Sequence, residues 1–261
     1  MNRIENAFKN KPIFMPYFPL GYPDSATSID VIEALAKNGA DLIEVGLSFS
    51  DPLADGPVIQ QATQVALEQG ITIKKSLEAV KELRKRGVDI PLILMGYYNP
   101  MLAYGLEKFV RDAKEAGADG FIIPDLPIEE SDEFIRATGQ SPLPLIPMLA
   151  PTSSPDRMEK IARNAKGFIY LVSVTGITGE RKTISAGLSD LIADVRKHTN
   201  IPVCVGFGIG TPEQAKEVGQ MADGVIVGTA CVRTIGTSQT PVETAKQFAS
   251  QFRSALNESK K

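Results

Sequence analysis

Residues 29–47 read IDVIEALAKNGADLIEVGL, and three textures succeed one another within them. Ile29, Ile32, Leu35 and Ala36 recur with a helical period. Asn38-Gly39-Ala40-Asp41 is a small, polar turn. Leu42–Leu47 is then a nearly continuous apolar run, too short for a helix and suited to a strand covered on both faces. One such stretch is a helix feeding a strand. Its repetition decides the fold.

The same handover recurs at Ala116-Gly117-Ala118-Asp119 before Gly120–Asp125, at Ala165-Lys166 before Gly167–Ser173, and at Met221-Ala222-Asp223 before Gly224–Thr229. Proline marks the other entries: Pro12 before Ile13–Leu20, Pro91 before Leu92–Tyr98, Pro144 before Leu145–Ala150 and Pro202 before Val203–Gly208. Eight runs in 261 residues leave roughly 33 residues per unit, the size of a βα repeat. Helical stripes fill the intervals, as at Leu77, Val80 and Leu83, and at Phe109, Ala113 and Ala116. No linker or shift of composition divides the chain. Residues 1–261 are therefore expected to form one α/β domain, a single (β/α)8 TIM barrel. A doubly wound open sheet is the alternative, but no GxGxxG follows the first strand.

Composition narrows the function. Hydrophobic residues make up 43% and charged residues 23%, the mix of a globular protein with a large core. A formal net charge of −3 provides no field suited to nucleic acid or a membrane surface. Cys204 and Cys231 lie in apolar runs and read as reduced, buried thiols. The opening MNRIENAFKNKPIF has no apolar core of a signal peptide, and no run reaches the roughly 18 apolar residues of a membrane span. A cytoplasmic location is expected. His198 is the sole histidine, placed where a cation suits a helix C-terminus. A multi-histidine metal site is excluded.

In a barrel, chemistry sits at the C-terminal ends of the strands and on the loops beyond them. Glu44 lies inside the second apolar run, and no run contains a lysine or arginine to pair with it. A buried, unpaired carboxylate is held protonated, its pKa pushed up towards neutrality, where it can exchange a proton. The bland alternative is a glutamate bonded to backbone or tyrosine hydroxyls. The loop behind it, Ser48-Phe49-Ser50-Asp51-Pro52-Leu53-Ala54-Asp55-Gly56-Pro57, is stiffened by two prolines. It presents Asp55 as a second acid or acceptor, or else as a turn or cap residue ahead of Pro57.

The run Ile43–Gly56, IEVGLSFSDPLADG, resembles the signature of the tryptophan synthase α chain family. The resemblance continues through Gly21–Pro23, Tyr97-Tyr98-Asn99-Pro100, Pro124-Asp125-Leu126-Pro127, Ser173–Gly179 and Gly206-Phe207-Gly208. It implies a lyase of tryptophan biosynthesis that cleaves indole-3-glycerol phosphate into indole and glyceraldehyde 3-phosphate. Glu44 then matches the acid–base residue, and Asp55 the carboxylate that accepts from the indole nitrogen. A Schiff-base aldolase needs a lysine inside the barrel and a metal aldolase a histidine cluster; neither is present, so no cofactor is expected. The implied partner is a tryptophan synthase β chain in an α2β2 heterotetramer. A stand-alone lyase and an inactive barrel kept as a regulatory subunit are the competing readings; the intact Glu44 and Asp55 weigh against the second.

The resemblance assigns the phosphate to Gly179, Gly208, Gly228 and Thr229, on loops whose bare amides and helix starts suit a dianion. An indole needs a flat apolar slot, and Tyr17, Met95, Tyr97, Ile122, Tyr170 and Phe207 lie near strand C-termini; the resemblance implies that Thr178 bonds to the catalytic aspartate, Asp55. Ser173–Thr183 reads as a lid. Tyr17 stands where phenylalanine is common in the family, Ser48 where proline is frequent, and Thr229 where many members have serine. The loops Asp51–Asp55, Tyr98–Leu102 and Pro127–Glu129, with Pro52, Leu53, Pro100, Met101 and Leu102, are expected to form the docking surface for the β chain.

Overall fold

Eight short strands are present: β1 (Ile13–Pro19), β2 (Ile43–Gly46), β3 (Leu92–Met95), β4 (Gly120–Ile122), β5 (Met148–Leu149), β6 (Ile169–Val172), β7 (Val203–Gly206) and β8 (Gly224–Val227). The structure is a computed structural model that describes residues 2–139, 141, 143–172, 187–206 and 208–259. Every strand pairing is parallel, in the order β4-β3-β2-β1-β8-β7-β6-β5. The seam between β4 and β5 is joined at the Phe121–Leu145 bridge. There Phe121 N–H donates to Pro144 O at 2.9 Å and Ile146 N–H to Phe121 O at 2.8 Å. The result is a nearly closed (β/α)8 TIM barrel, and the open-sheet alternative falls.

The helices of the described residues are α1 (Arg3–Ala7), α2 (Ser25–Lys37), α3 (Pro57–Glu68), α4 (Ile73–Lys85), α5 (Tyr98–Tyr104) and α6 (Leu106–Ala116). They continue with α7 (Asp132–Thr138), α8 (Pro155–Asn164), α9 (Leu188–Arg196), α10 (Pro212–Gly219), α11 (Thr229–Gly236) and α12 (Pro241–Glu258). Their apolar stripes are buried as the periodicity requires: Val31, Ile32 and Leu35 on α2, Phe109, Val110 and Ala113 on α6. α12 packs on α2 and β1, with Phe252 stacked on Phe14 at 5.2 Å. The last helix thus covers the first strand. No helix among the described residues is long and apolar enough to cross a membrane.

The strands are shorter than the apolar runs that announce them. Tyr98, at the end of the third run, already opens α5, and Thr229, at the end of the eighth, opens α11. Burial continues past the strand ends at Leu20, Leu47 and Tyr97. His198 is exposed beyond the end of α9, its amide bonded to Val195 O, as expected of a helix C-terminus.

At the opposite, N-terminal face, the Ala-Asp turns do more than reverse the chain. Asp41 accepts from Phe14 N–H at 2.7 Å, Asp119 from Leu92 N–H at 2.9 Å and Asp223 from Val203 N–H at 2.9 Å. Each aspartate sits just before one strand and ties down the first residues of its neighbour. Each is also held by cations: Arg253 on Asp41, Arg84 and Arg3 on Asp119, Lys11 and Arg196 on Asp223. Burial would raise the Asp223 pKa, but the Lys11 and Val203 bonds bring it below the usual value. Three of the four adjacent strand pairs β1/β2, β3/β4, β5/β6 and β7/β8 are clamped in this way. The barrel is thus fastened at the N-terminal face.

Candidate active site

β2 places Glu44 inside the barrel, its Cα in register with Tyr17 on β1 and Ile93 on β3. Only 1% of the residue is exposed. Its Oε1 has no hydrogen-bond partner among the described residues. Burial, and then the neighbouring Asp55 charge, push its pKa up to about 8. At neutral pH Glu44 is therefore mostly a neutral acid with a proton to give.

Asp55 comes from the loop between β2 and α3. It does not cap α3: Gly56 is the N-cap and makes no side-chain bond. Its amide donates to Pro52 O at 3.1 Å, and its carbonyl accepts from Gln60 Nε2 at 2.8 Å. These bonds hold the backbone and leave the carboxylate turned inward, where Oδ2 accepts from the Tyr97 hydroxyl at 3.0 Å. Burial lifts the Asp55 pKa to about 6, against the lowering effect of the Tyr97 bond. The two carboxyls are thus pushed apart, one largely protonated and one largely ionised at neutral pH. Divergent values for a close pair are what acid–base chemistry requires.

Two tyrosines complete the interior. Tyr17 reaches across β2 so that a Cβ on Gly46 would overlap its hydroxyl, and Tyr170 does the same over Gly206 of β7. Those glycines give the phenol groups room to lie over the next strand. Burial raises both phenol pKa values well above normal; the charges of Asp55 and Glu44 add to this. Both remain neutral hydroxyls. Ile122 and Met95 are buried and in mutual register, so the apolar residues expected around an indole ring are brought to the same mouth. Ser48 Oγ is buried with no partner among the described residues.

The phosphate expectation divides. At α11, Gly228 is the N-cap without a side-chain cap, and Thr229 begins the helix, so this N-terminus keeps amides to offer. Ahead of α10 two of the amides expected to be bare are not. Gly210 N–H and Thr211 N–H donate to Gln214 Oε1 at 2.8 and 3.3 Å, within a Thr211–Gln214 capping box. Gly208 lies ahead of that box with φ +82°. Thr178, Gly179, Phe207 and the lid segment 173–183 lie outside the described residues.

The docking expectation needs one correction. Leu53 and Leu102 are exposed at 85% and 47%, but Met101 is fully buried and belongs to the core. On α5 it faces inward while its neighbour Leu102 faces out, which composition does not distinguish. A cavity of about 420 Å³ opens elsewhere, at the β4–β5 seam, lined by Pro124, Leu126, Ile128, Ile135 and Arg157 among others. It contains neither Glu44 nor Asp55.

The family model described as "Tryptophan synthase alpha chain" matches residues 4–260. The chain belongs to the tryptophan synthase alpha chain family. It is 48% identical to the tryptophan synthase alpha chain of Chloroflexus aurantiacus over 89% of each chain. It is 44% identical to that of Geobacter sulfurreducens, over 99% of this chain and 98% of the relative. Among solved structures, tryptophan synthase of Mycobacterium tuberculosis superposes with TM-score 0.90 at 34% identity, covering 98% of each chain. The alpha chain of Legionella pneumophila does so with TM-score 0.87 at 36% identity, over 99% and 98%. Sequence reasoning misses one feature of this site: it places Tyr97 in the wall of the indole slot, whereas the hydroxyl is spent on Asp55 and the loop. No local pattern signals a bond between residues 42 positions apart.

Proposed function

We propose that Glu44 and Asp55 carry the family's reaction in this chain. The protein is a carbon–carbon lyase, the alpha subunit in tryptophan biosynthesis, and it cleaves indole-3-glycerol phosphate into indole and glyceraldehyde 3-phosphate. Protonated Glu44 gives its proton to the ring carbon that bears the side chain. Ionised Asp55 accepts a hydrogen bond from the ring nitrogen and stabilises the positive charge that develops there. The bond to the side chain then breaks, its electron pair returns to the ring, and the side-chain hydroxyl becomes the aldehyde. The hydroxyl proton goes to the Glu44 carboxylate, which is left as it began.

The observation that carries this reading is the pair of buried carboxyls with divergent pKa values, about 8 and about 6. Gly228 and Thr229 at the open start of α11 are proposed to hold the phosphate, together with Gly208 and Gly179. Tyr17, Ile122, Tyr170 and Phe207 are proposed to surround the indole, and Thr178 to bond to Asp55. Residues 1–261 act as one barrel domain, and a reducing, cytoplasmic setting suits the buried thiols of Cys204 and Cys231. The product indole passes to a tryptophan synthase β chain in an α2β2 assembly. Exposed Leu53 and Leu102, on the segments after β2 and β3, support docking on this face. Indole release from indole-3-glycerol phosphate, measured with and without a β chain, tests the reading. Release that rises on β-chain addition is expected; absence of release in both cases would overturn it.

A further inference from the structure

Tyr97 is the residue that leads from β3 into α5, serving as N-cap without a side-chain cap bond. Its ring lies 5.6 Å from that of Phe49, and the residue is 4% exposed. Its hydroxyl donates to Asp55 Oδ2 at 3.0 Å and accepts from Ala54 N–H at 3.0 Å. A phenol has one proton, and here that proton is committed to Asp55. None remains to donate to a substrate.

We propose that Tyr97 is a positioning residue for Asp55: one hydroxyl fixes the loop backbone at Ala54 and sets which carboxylate oxygen turns towards the reacting ring. The proposal rests on the reading of Asp55 as a catalytic carboxylate. With Oδ2 engaged by Tyr97, no hydrogen bond from a described residue is made to Oδ1, the oxygen left for an incoming N–H. The same bond favours the ionised form. The titratable groups around Asp55 are Glu44 on β2, Tyr17 on β1, Tyr170 on β6 and Tyr97 itself. All are acids or neutral phenols, so Tyr97 is the described group that counteracts the burial of this carboxylate. The bond also links site to surface, because Ala54 adjoins the exposed Leu53.

The test is Tyr97→Phe, which keeps the ring against Phe49 and removes only the hydroxyl. Asp55→Asn is run in parallel. Indole formation is measured from pH 5 to pH 9, and the Asp55 carboxyl is titrated by ¹³C NMR in the substrate-free chain. A hydrogen bond to a charged acceptor favours ionisation by about one pKa unit or more. In Tyr97→Phe the Asp55 titration and the acid limb of kcat are therefore expected to move up by about that much. kcat at neutral pH should fall about tenfold while KM changes less than about threefold. An Asp55 titration and acid limb identical to those of the native chain would overturn the proposal. So would a raised KM with unchanged kcat, which would return Tyr97 to the slot wall. Native turnover in Asp55→Asn would instead remove Asp55 from catalysis, and the proposal with it.

Discussion

Replacing Glu44 with glutamine keeps the shape of the side chain and removes its ability to exchange a proton, so activity and stability should respond in opposite directions. Turnover is expected to fall at least about a hundredfold, the usual contribution of a positioned acid–base group, with substrate affinity retained. Stability rises instead. The Glu44 pKa rises from 4.5 to about 8 on folding, so the native state keeps its proton over a range in which the unfolded chain has lost it. The stability tied to this group is full below about 4.5 and is lost as pH rises through about 8. At about 1.36 kcal/mol per pKa unit, the native chain loses about 4 kcal/mol relative to Glu44→Gln between pH 5 and pH 9. Urea unfolding of both proteins at pH 5, 7 and 9 reads this difference. The variant should be increasingly the more stable one as pH rises. A stability difference that stays constant across the three pH values would refute the argument that Glu44 is buried, unpaired and protonated.

The same geometry sets three further expectations. Gly228→Ala should raise KM at least about threefold with the fold intact: a Cβ there meets Ile59 Cδ1 at 3.7 Å and Tyr17 Cβ at 3.8 Å, ordinary contacts, so the core accommodates the methyl, which is expected to crowd the proposed phosphate site. Kinetics and an unchanged thermal midpoint check it. It is a cleaner probe than a substitution at Gly208, whose φ of +82° strains any side chain. Leu53→Glu with Leu102→Glu should weaken β-chain association at least about tenfold, read by titration calorimetry, with basal indole release nearly unchanged. Asp119→Ala leaves the half-buried Arg84 without its carboxylate and frees Leu92 N–H. A loss of about 3 kcal/mol is expected by denaturant unfolding, with KM unaltered.

The fold is legible because parallel strands covered on both faces spell themselves as unbroken apolar runs, and eight of them in 261 residues leave few architectures. Strand ends are not legible, because Tyr98 and Thr229 are as aromatic or β-branched as the strands before them yet start helices. The turn at Asp41 is visible, but its partner Arg253 lies 212 residues away, so the clamp is not. Glu44 stands out as a charge in an apolar run, and that contrast suffices to find it. Asp55 emerges from loop composition and resemblance together; its ionisation depends on burial and on Tyr97, which only three dimensions supply. The capping box at α10 is readable in the sequence: Thr211-Pro212-Glu213-Gln214 has the spacing that consumes helix-start amides. Met101 escapes a compositional reading, which does not say which way a helix turns.

The most direct test of the two-carboxyl account is the pH dependence of kcat/KM for indole formation from indole-3-glycerol phosphate, measured from pH 5 to pH 10 in the folded enzyme. Glu44, with its pKa near 8, must enter the reaction protonated, so kcat/KM should fall about tenfold per pH unit above that value. Its acid limb should lie near 6, where Asp55 ionises. A rate that stays level from pH 7 to pH 10 would contradict the account, because no buried acid would then be giving up a proton in the rate-determining step.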